Sequence, residues 1–269
     1  NQRISKHENA AYRGDQNMKT SGKYLAIIRQ LTTVSIFMLI WYIASYLVNS
    51  NVLPDPISVI QTFLQELGNG LIDHIMISSY RVLVSIVISA FIGTLAGIFI
   101  GMSPKVYSIS APVIYLTYPI PKIVFLPLVL LFLGLGDVSK IFLITLILFF
   151  QVVLLVRDNV RNVSPELILS VKSLGAGWVT MMSKVYFPAA LPGLFSALRI
   201  STGVAIAVLF FVESFGTQEG LGYYILIESW GRLAYEELYS GVLAMAILGL
   251  VIYYSLDASE RYFCKWNQH

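Results

Sequence analysis

Residues 164–176 read Ser164-Pro165-Glu166-Leu167-Ile168-Leu169-Ser170-Val171-Lys172-Ser173-Leu174-Gly175-Ala176. Both ends of a short helix are written into this stretch. Ser164 suits the N-cap, Pro165 the first helical position, and Glu166 the positive end of the helix dipole. Gly175 ends or bends the helix. Leu167, Ile168, Val171 and Leu174 fall on one apolar face, and such a face has to be buried. It can pack on the ends of the chain's own helices, or it can enter a groove on another protein. A second apolar helical segment follows with Trp178, Met181, Met182 and Val185. Pro188 and Pro192 bracket the return into the next apolar run. Methionine and tryptophan suit an adaptable interface.

Long apolar runs flank this stretch on both sides. Of the 269 residues 57% are hydrophobic and 12% charged, against about 25% charged in soluble domains. A membrane-crossing helix needs about 20 apolar residues. Residues 25–48, 82–102, 109–133, 139–156, 191–212 and 238–256 meet that need, which predicts an all-α polytopic membrane protein of about six spans. The stretch at 164–176 lies between the fourth and fifth. No small-residue cleavage site follows the first run, so it reads as a span and not as a removed signal. After it, Pro54-Asp55-Pro56 and Ser58 start a short helix. Val59, Phe63 and Leu67 recur there at helical spacing, which lays it along the interface.

Gly93, Gly97 and Gly101 stand four apart in the second span and form a stripe for close helix packing. The third span is broken by Pro112, Pro119, Pro121 and Pro127. Irregular backbone at membrane depth is tolerated only against protein or a water-filled cavity. Lys122 lies in this broken span. An intramembrane cation points to a functional role, with snorkelling to the interface as the alternative. Gly134-Leu135-Gly136-Asp137 makes a turn. Residues 214–237 read as a polar connection carrying Glu219, Glu228, Glu236 and Glu237.

Six spans place Lys105, Arg157, Arg161, Lys172, Lys184, Arg261, Lys265 and the cations at 3, 6, 13, 19 and 23 on one side. Asp55, Glu66, Asp73, Asp137 and the acids after Ser214 fall on the other. The positive-inside rule then puts both termini and the 159–188 segment, which holds the 164–176 stretch, in the cytoplasm. The chain divides into a tail at 1–24, a transmembrane domain at 25–257 with a cytoplasmic loop at 158–190, and a second tail at 258–269.

Catalytic chemistry is missing from the pattern. There is no Gly-x-x-x-x-Gly-Lys-Ser/Thr phosphate loop and no Gly-x-Ser-x-Gly elbow. His7, His74 and His269 lack metal-site spacing, and Cys264 has no partner cysteine. No residue is assigned a catalytic or metal-binding role, and the cations are explained by membrane orientation without nucleic acid.

Gly175, Ala176, Pro188, Pro192 and Arg199 resemble the cytoplasmic loop of type I ABC importer permeases. Leu169, Ser170 and Val171 occupy the family's Glu-Ala-Ala positions, so the family's acid is absent; Glu166 lies one turn earlier. Ala197 replaces a glycine of the pattern. Pro119-Ile120-Pro121-Lys122, Pro127-Leu128, Gly134-Leu135-Gly136-Asp137, Ser139-Lys140, Glu213 and Gly220-Leu221-Gly222-Tyr223 resemble the nitrate/sulfonate/taurine branch. The resemblance runs over most of the chain.

It implies a permease homodimer in the cell membrane, two cytosolic ATPase subunits and an extracytoplasmic binding protein. ATP and Mg would sit on the ATPase, with no cofactor on this chain. Pro165, Glu166, Leu167, Ser170, Val171, Lys172, Leu174, Gly175 and Ala176 would form the ATPase-coupling element. Pro119, Pro121, Lys122 and Glu213 would line the pathway of a small polar or anionic solute, such as a sulfonate, nitrate, taurine, bicarbonate or a vitamin precursor. The competing class is a self-contained ion-coupled transporter or channel. It needs a buried carboxylate in a span, and Glu213, at a span end, is the one candidate. A membrane enzyme lacks a catalytic constellation. A scaffold leaves the proline re-entry unexplained.

Overall fold

The structure is a computed structural model and describes residues 28, 29 and 31–267. The N-terminal cations, His7, His269 and the start of the first apolar run lie outside the described residues. The chain forms two compact units, one ending at Gln61 and one beginning at Thr62. Every described regular element is helical.

In the first unit, α1 (Leu31–Val48) is uncharged and mostly apolar, and none of its window is buried. Its C-terminal turn is tied to the following loop. Trp41 Nε1 donates to Pro54 O at 3.1 Å, and Ser45 Oγ donates to Leu53 O at 2.8 Å. Asp55 then caps α2 (Pro56–Glu66), its carboxylate accepting from Ile57 N at 2.9 Å and Ser58 N at 3.1 Å. The hydrogen bond from the Ser58 backbone leads the causes that hold this carboxyl below the usual range.

The second unit is built on α3 (Leu71–Met102) and α6 (Asp137–Arg161), packed along each other. The glycine stripe explains how closely they approach. A Cβ on Gly93, Gly97 or Gly101 would come within 2.8, 2.7 and 2.8 Å of Val152, Val156 and Val160 respectively. Three glycines therefore receive three valines at the same four-residue period. On the same face, Ser78, Arg81, Ser85 and Ser89 are also buried. The helix starts eleven residues before the span expected at 82, because Arg81 does not end it. The charge is neutralised inside the bundle, so hydropathy alone misplaces that boundary.

α4 (Pro104–Thr117) is capped by Ser103. Pro119 and Pro121 follow it at the surface, and a 3-10 turn (Lys122–Phe125) leads into α5 (Leu126–Leu133). The two arms of this broken span are bent by 78°. Next come α7 (Pro165–Ser173), α8 (Trp178–Met181), a π-turn (Met182–Tyr186) and α9 (Phe187–Glu213). The last three form a single run of 36 residues with Pro188 and Pro192 both inside it, so no break in the helix marks the return expected there. The π-turn accommodates Pro188. The carbonyl four residues before the proline belongs to Lys184, where the widened turn relieves the ring clash of a regular helix.

The expected polar connection at 214–237 is largely helical, and its middle, from Gly220 to Ile225, is carried into the core. α10 (Leu221–Tyr223), a second π-turn (Tyr224–Ser229) and a 3-10 turn (Trp230–Arg232) precede α11 (Tyr235–Phe263). Leu221, Tyr224 and Ile225 are buried with Leu143, Leu209 and Leu248. Among the described residues, five helices are long and apolar enough to cross a membrane, and the bent pair makes a sixth.

Candidate functional site

The chain carries three candidate regions: α7, the elbow around Lys122, and a buried ionic node at the other end of α6.

α7 is a short, closed unit. Ser164 Oγ accepts from Leu167 N at 3.2 Å. At the far end Gly175 takes φ +81°. Gly175 N donates to Lys172 O at 2.9 Å, and Ala176 N reaches Val171 O at 3.4 Å. These paired bonds are the Schellman closure, and glycine meets its left-handed requirement without strain. The apolar face read from the sequence divides in two. Ile168, Val171 and Ala176 pack against Val160, Met181, Val185 and Tyr186. Leu167, Leu169 and Leu174 stay 49%, 63% and 87% exposed. Pro165, Glu166, Ser170 and Lys172 are exposed beside them. All nine coupling candidates are therefore on one short segment, with half its apolar surface uncovered by the chain itself. Arg199 fastens α9 to α11 through Asp257 at 3.0 Å and Glu260 at 2.6 Å.

Lys122 stands at the elbow of the broken span. Its Nζ donates to Tyr118 O at 2.9 Å and Thr117 O at 3.2 Å, closing the carbonyl end of α4. The ammonium also lies 4.7 Å from the Phe150 ring centre. Phe150 is midway along α6, so the cation is held at mid-helix depth and is not drawn out to an end.

Glu213 belongs to a different place. It is fully buried. Arg81 Nη1 reaches its Oε1 at 2.8 Å, Ser78 Oγ lies 2.8 Å from its Oε2, and Gly222 N donates to Oε2 at 3.0 Å. Arg81 Nε and Nη2 both reach Asp137 Oδ1, at 2.8 and 2.7 Å, and Nη1 also donates to Glu219 O at 3.0 Å. Leu221 N donates to Ser78 Oγ at 2.8 Å, and Gly220 N to His74 Nδ1 at 3.0 Å. This leaves His74 Nε2 facing Glu228 Oε2 at 3.5 Å. Glycine is required at 220, where φ is +105° and a Cβ would strike Glu213 and Arg81. The node joins α3, α6, α9 and the 214–237 segment. About 20 Å of α6 separates it from Lys122, so the four expected pathway residues do not converge. Sequence reasoning missed Arg81, Ser78 and His74; the available signal was the serine–arginine continuation of the glycine stripe.

These features define a polytopic helical transport component: a bundle with a broken span, a cation at its elbow and an uncovered helix at one end. A family model described as binding-protein-dependent transport system inner membrane component matches residues 89–267. A taurine transport system permease protein of Escherichia coli K12 is 30% identical over 252 residues, covering 89% of this chain and 91% of the relative. A putative aliphatic sulfonates transport permease protein of Bacillus subtilis is 29% identical, covering 93% of this chain and 91% of the relative. The fold is similar to that of the MetNI methionine ABC transporter in an inward-facing conformation. The TM-score is 0.60 at 20% identity, over 72% of this chain and 95% of that one.

The chain belongs to the family of binding-protein-dependent transport system inner membrane components. It is a membrane-spanning permease subunit, and the resemblance drawn from Gly175, Pro188, Pro192 and the 119–140 motifs holds at that level.

Proposed function

We propose that this permease imports a small anionic or zwitterionic solute of the sulfonate or taurine type, driven by ATP hydrolysed on a separate subunit. Two copies of the chain form the pathway. An extracytoplasmic binding protein delivers solute, and each copy sets α7 into a groove of a cytosolic ATPase that carries the ATP and Mg. Both termini and the 158–190 loop lie in the cytoplasm.

The observation that carries this reading is the uncovered half of α7. Leu167, Leu169 and Leu174 project from a helix that is capped at both ends and anchored through Ile168 and Val171. A short stiff element of this kind passes displacement on without bending. Glu166 and Lys172 flank the apolar patch and would set its orientation in the groove. Without the family's acid, the grip rests on leucine contacts more than on charge. Lys122, with Pro119 and Pro121 at the elbow, is the part of the expected pathway that stands open to a solute. Glu213 would act by holding the 214–237 segment in place.

The test is reconstitution in liposomes with the cognate ATPase and binding protein. ATP hydrolysis should rise several-fold when loaded binding protein is added, with uptake of taurine or an alkanesulfonate. Uptake by this chain alone, driven by an ion gradient, would overturn the reading in favour of a self-contained transporter.

A further inference from the structure

Beyond the elbow, the face between α4 and α6 carries a second cationic group with an unmet need. Arg157 lies in the last turns of α6 and is only 4% exposed. Asp158 takes its Nε at 2.8 Å and its Nη2 at 2.7 Å. Its Nη1 is buried with no hydrogen-bond partner among the described residues. A buried donor left unpaired is costly, and more so when it is charged.

The surroundings are aromatic and cationic. The Arg157 guanidinium carbon stands 5.5 Å from the Tyr107 ring centre and 5.9 Å from that of Tyr115. The two phenol oxygens are 3.5 Å apart. Arg161, one turn further along α6, places its guanidinium carbon 3.8 Å from the same Tyr107 ring. Two guanidinium groups thus share one ring, and among the described residues Asp158 is the only carboxylate bonded to either. The group has an excess of positive charge and an excess of donors. Arg157 Nη1 has no acceptor among the described residues, and Arg161 adds further N–H donors; one phenol donates to the other, which leaves one phenol proton to offer. A tetrahedral oxyanion meets that need, since it presents several equivalent oxygens to donors arriving from different directions. A solute without an anionic head group would leave the charge uncompensated.

We propose that Arg157, Arg161, Tyr107 and Tyr115 form a sulfonate-binding station on the face between α4 and α6, about 10 Å along α6 from Lys122. Lys122 and this station would then be successive stops for one anionic head group. The station lies at the α6 end nearest α7, where a solute released from the elbow leaves the bundle. The proposal rests on the reading above that the solute carries an anionic head group of the sulfonate type.

The experiment uses the assembled permease–ATPase complex in nanodiscs of pure phosphatidylcholine, titrated with ethanesulfonate and separately with inorganic sulfate. Uptake of labelled ethanesulfonate is measured in parallel on the unmodified complex in liposomes, with its binding protein and ATP present. We expect saturable binding of ethanesulfonate, weakened at least tenfold in Arg157→Gln and about threefold in Arg161→Gln. Arg161→Lys should recover most of the loss, and Lys265→Gln, a charge removal in the C-terminal turn, should change nothing. Arg161 is exposed, so its variants keep the test alive where Arg157→Gln fails to fold. Uptake with unaltered binding in the Arg161 and Arg157 variants overturns the station and leaves the anion reading standing. Absence of ethanesulfonate uptake overturns the solute reading; sulfate binding that still needs Arg157 then keeps the oxyanion site, and its absence removes that too. If added phosphatidylglycerol displaces nothing, the free anion is supported. If the arginines retain only that lipid and bind no ethanesulfonate, the site belongs to a lipid head group and the proposal fails.

Discussion

The Arg81 node and α7 are opposite solutions to one problem, which is what to do with side chains that cannot be left alone. At the node every charge is answered within the chain. Arg81 meets Glu213, Asp137 and a carbonyl, and Glu213 meets three donors. At α7 the backbone is closed by its caps, yet three leucines stay about half or more exposed. The first region is finished by folding. The second is finished only by assembly. Within one permease the difference separates a part that fixes the bundle from a part that works on something outside it.

The largest effect should come from breaking the node. Arg81→Met removes the cation but leaves Glu213 in place with no exposure. Removing one partner of a buried pair typically costs about 3–5 kcal/mol, because the other charge is stranded. Asp137 is 49% exposed and would be rescued by water; Glu213 would not. The thermal midpoint of the detergent-solubilised protein should therefore fall sharply in Arg81→Met. It should return most of the way in the double variant Arg81→Met with Glu213→Gln. If Glu213→Gln alone abolishes uptake with an unchanged midpoint, Glu213 acts on the solute and the contrast with α7 collapses.

A smaller loss is expected at the helix seam. Gly97→Val adds a branched side chain where a Cβ already meets Val156 at 2.7 Å and the Val153 carbonyl at 3.1 Å. Overpacking of this kind costs about 1–3 kcal/mol. The double variant with Val156→Gly should recover part of it, because the added volume is then matched by a removal across the seam. A midpoint unchanged by Gly97→Val would mean that α3 and α6 do not approach as closely as the glycine–valine register requires.

The seam was legible in the sequence because its signal is local. Gly93, Gly97 and Gly101 repeat on one helix, and the four-residue period alone says that something comes close. The closures of α7 were legible for the same reason: Ser164, Pro165 and Gly175 act on backbone groups a few residues away. The node was not. Arg81 pairs with residues 56 and 132 positions further along, and no local pattern encodes such a partner. A hydropathy window counts the arginine as a charge whether or not it is neutralised, and so places the start of the span after it. The 214–237 segment misleads in the same way. Its glutamates make it read as solvent-facing, while Gly220, Leu221 and Gly222 donate their backbone hydrogens to His74, Ser78 and Glu213 and carry Leu221 and Tyr224 into the core.

The smallest effect on stability, and the sharpest test of the contrast, belongs to Leu174→Asp. Leu174 is 87% exposed and follows the last residue of α7, so the folded chain loses almost no contact when it is replaced. Exposed substitutions of this kind usually stay within about 0.5 kcal/mol. The midpoint of the isolated permease should not move. Its recovery with the ATPase on co-purification should nonetheless drop at least tenfold, since an aspartate carried into an apolar groove has to be desolvated without a partner. Ile168→Asp gives the converse. That side chain is partly buried against the cluster that holds Met181 and Val185, so the same charge should lower the midpoint of the permease before any partner is added. Equal behaviour of the two variants would mean that α7 has no division between an anchored face and a docking face, and the leucines would then be ordinary surface residues.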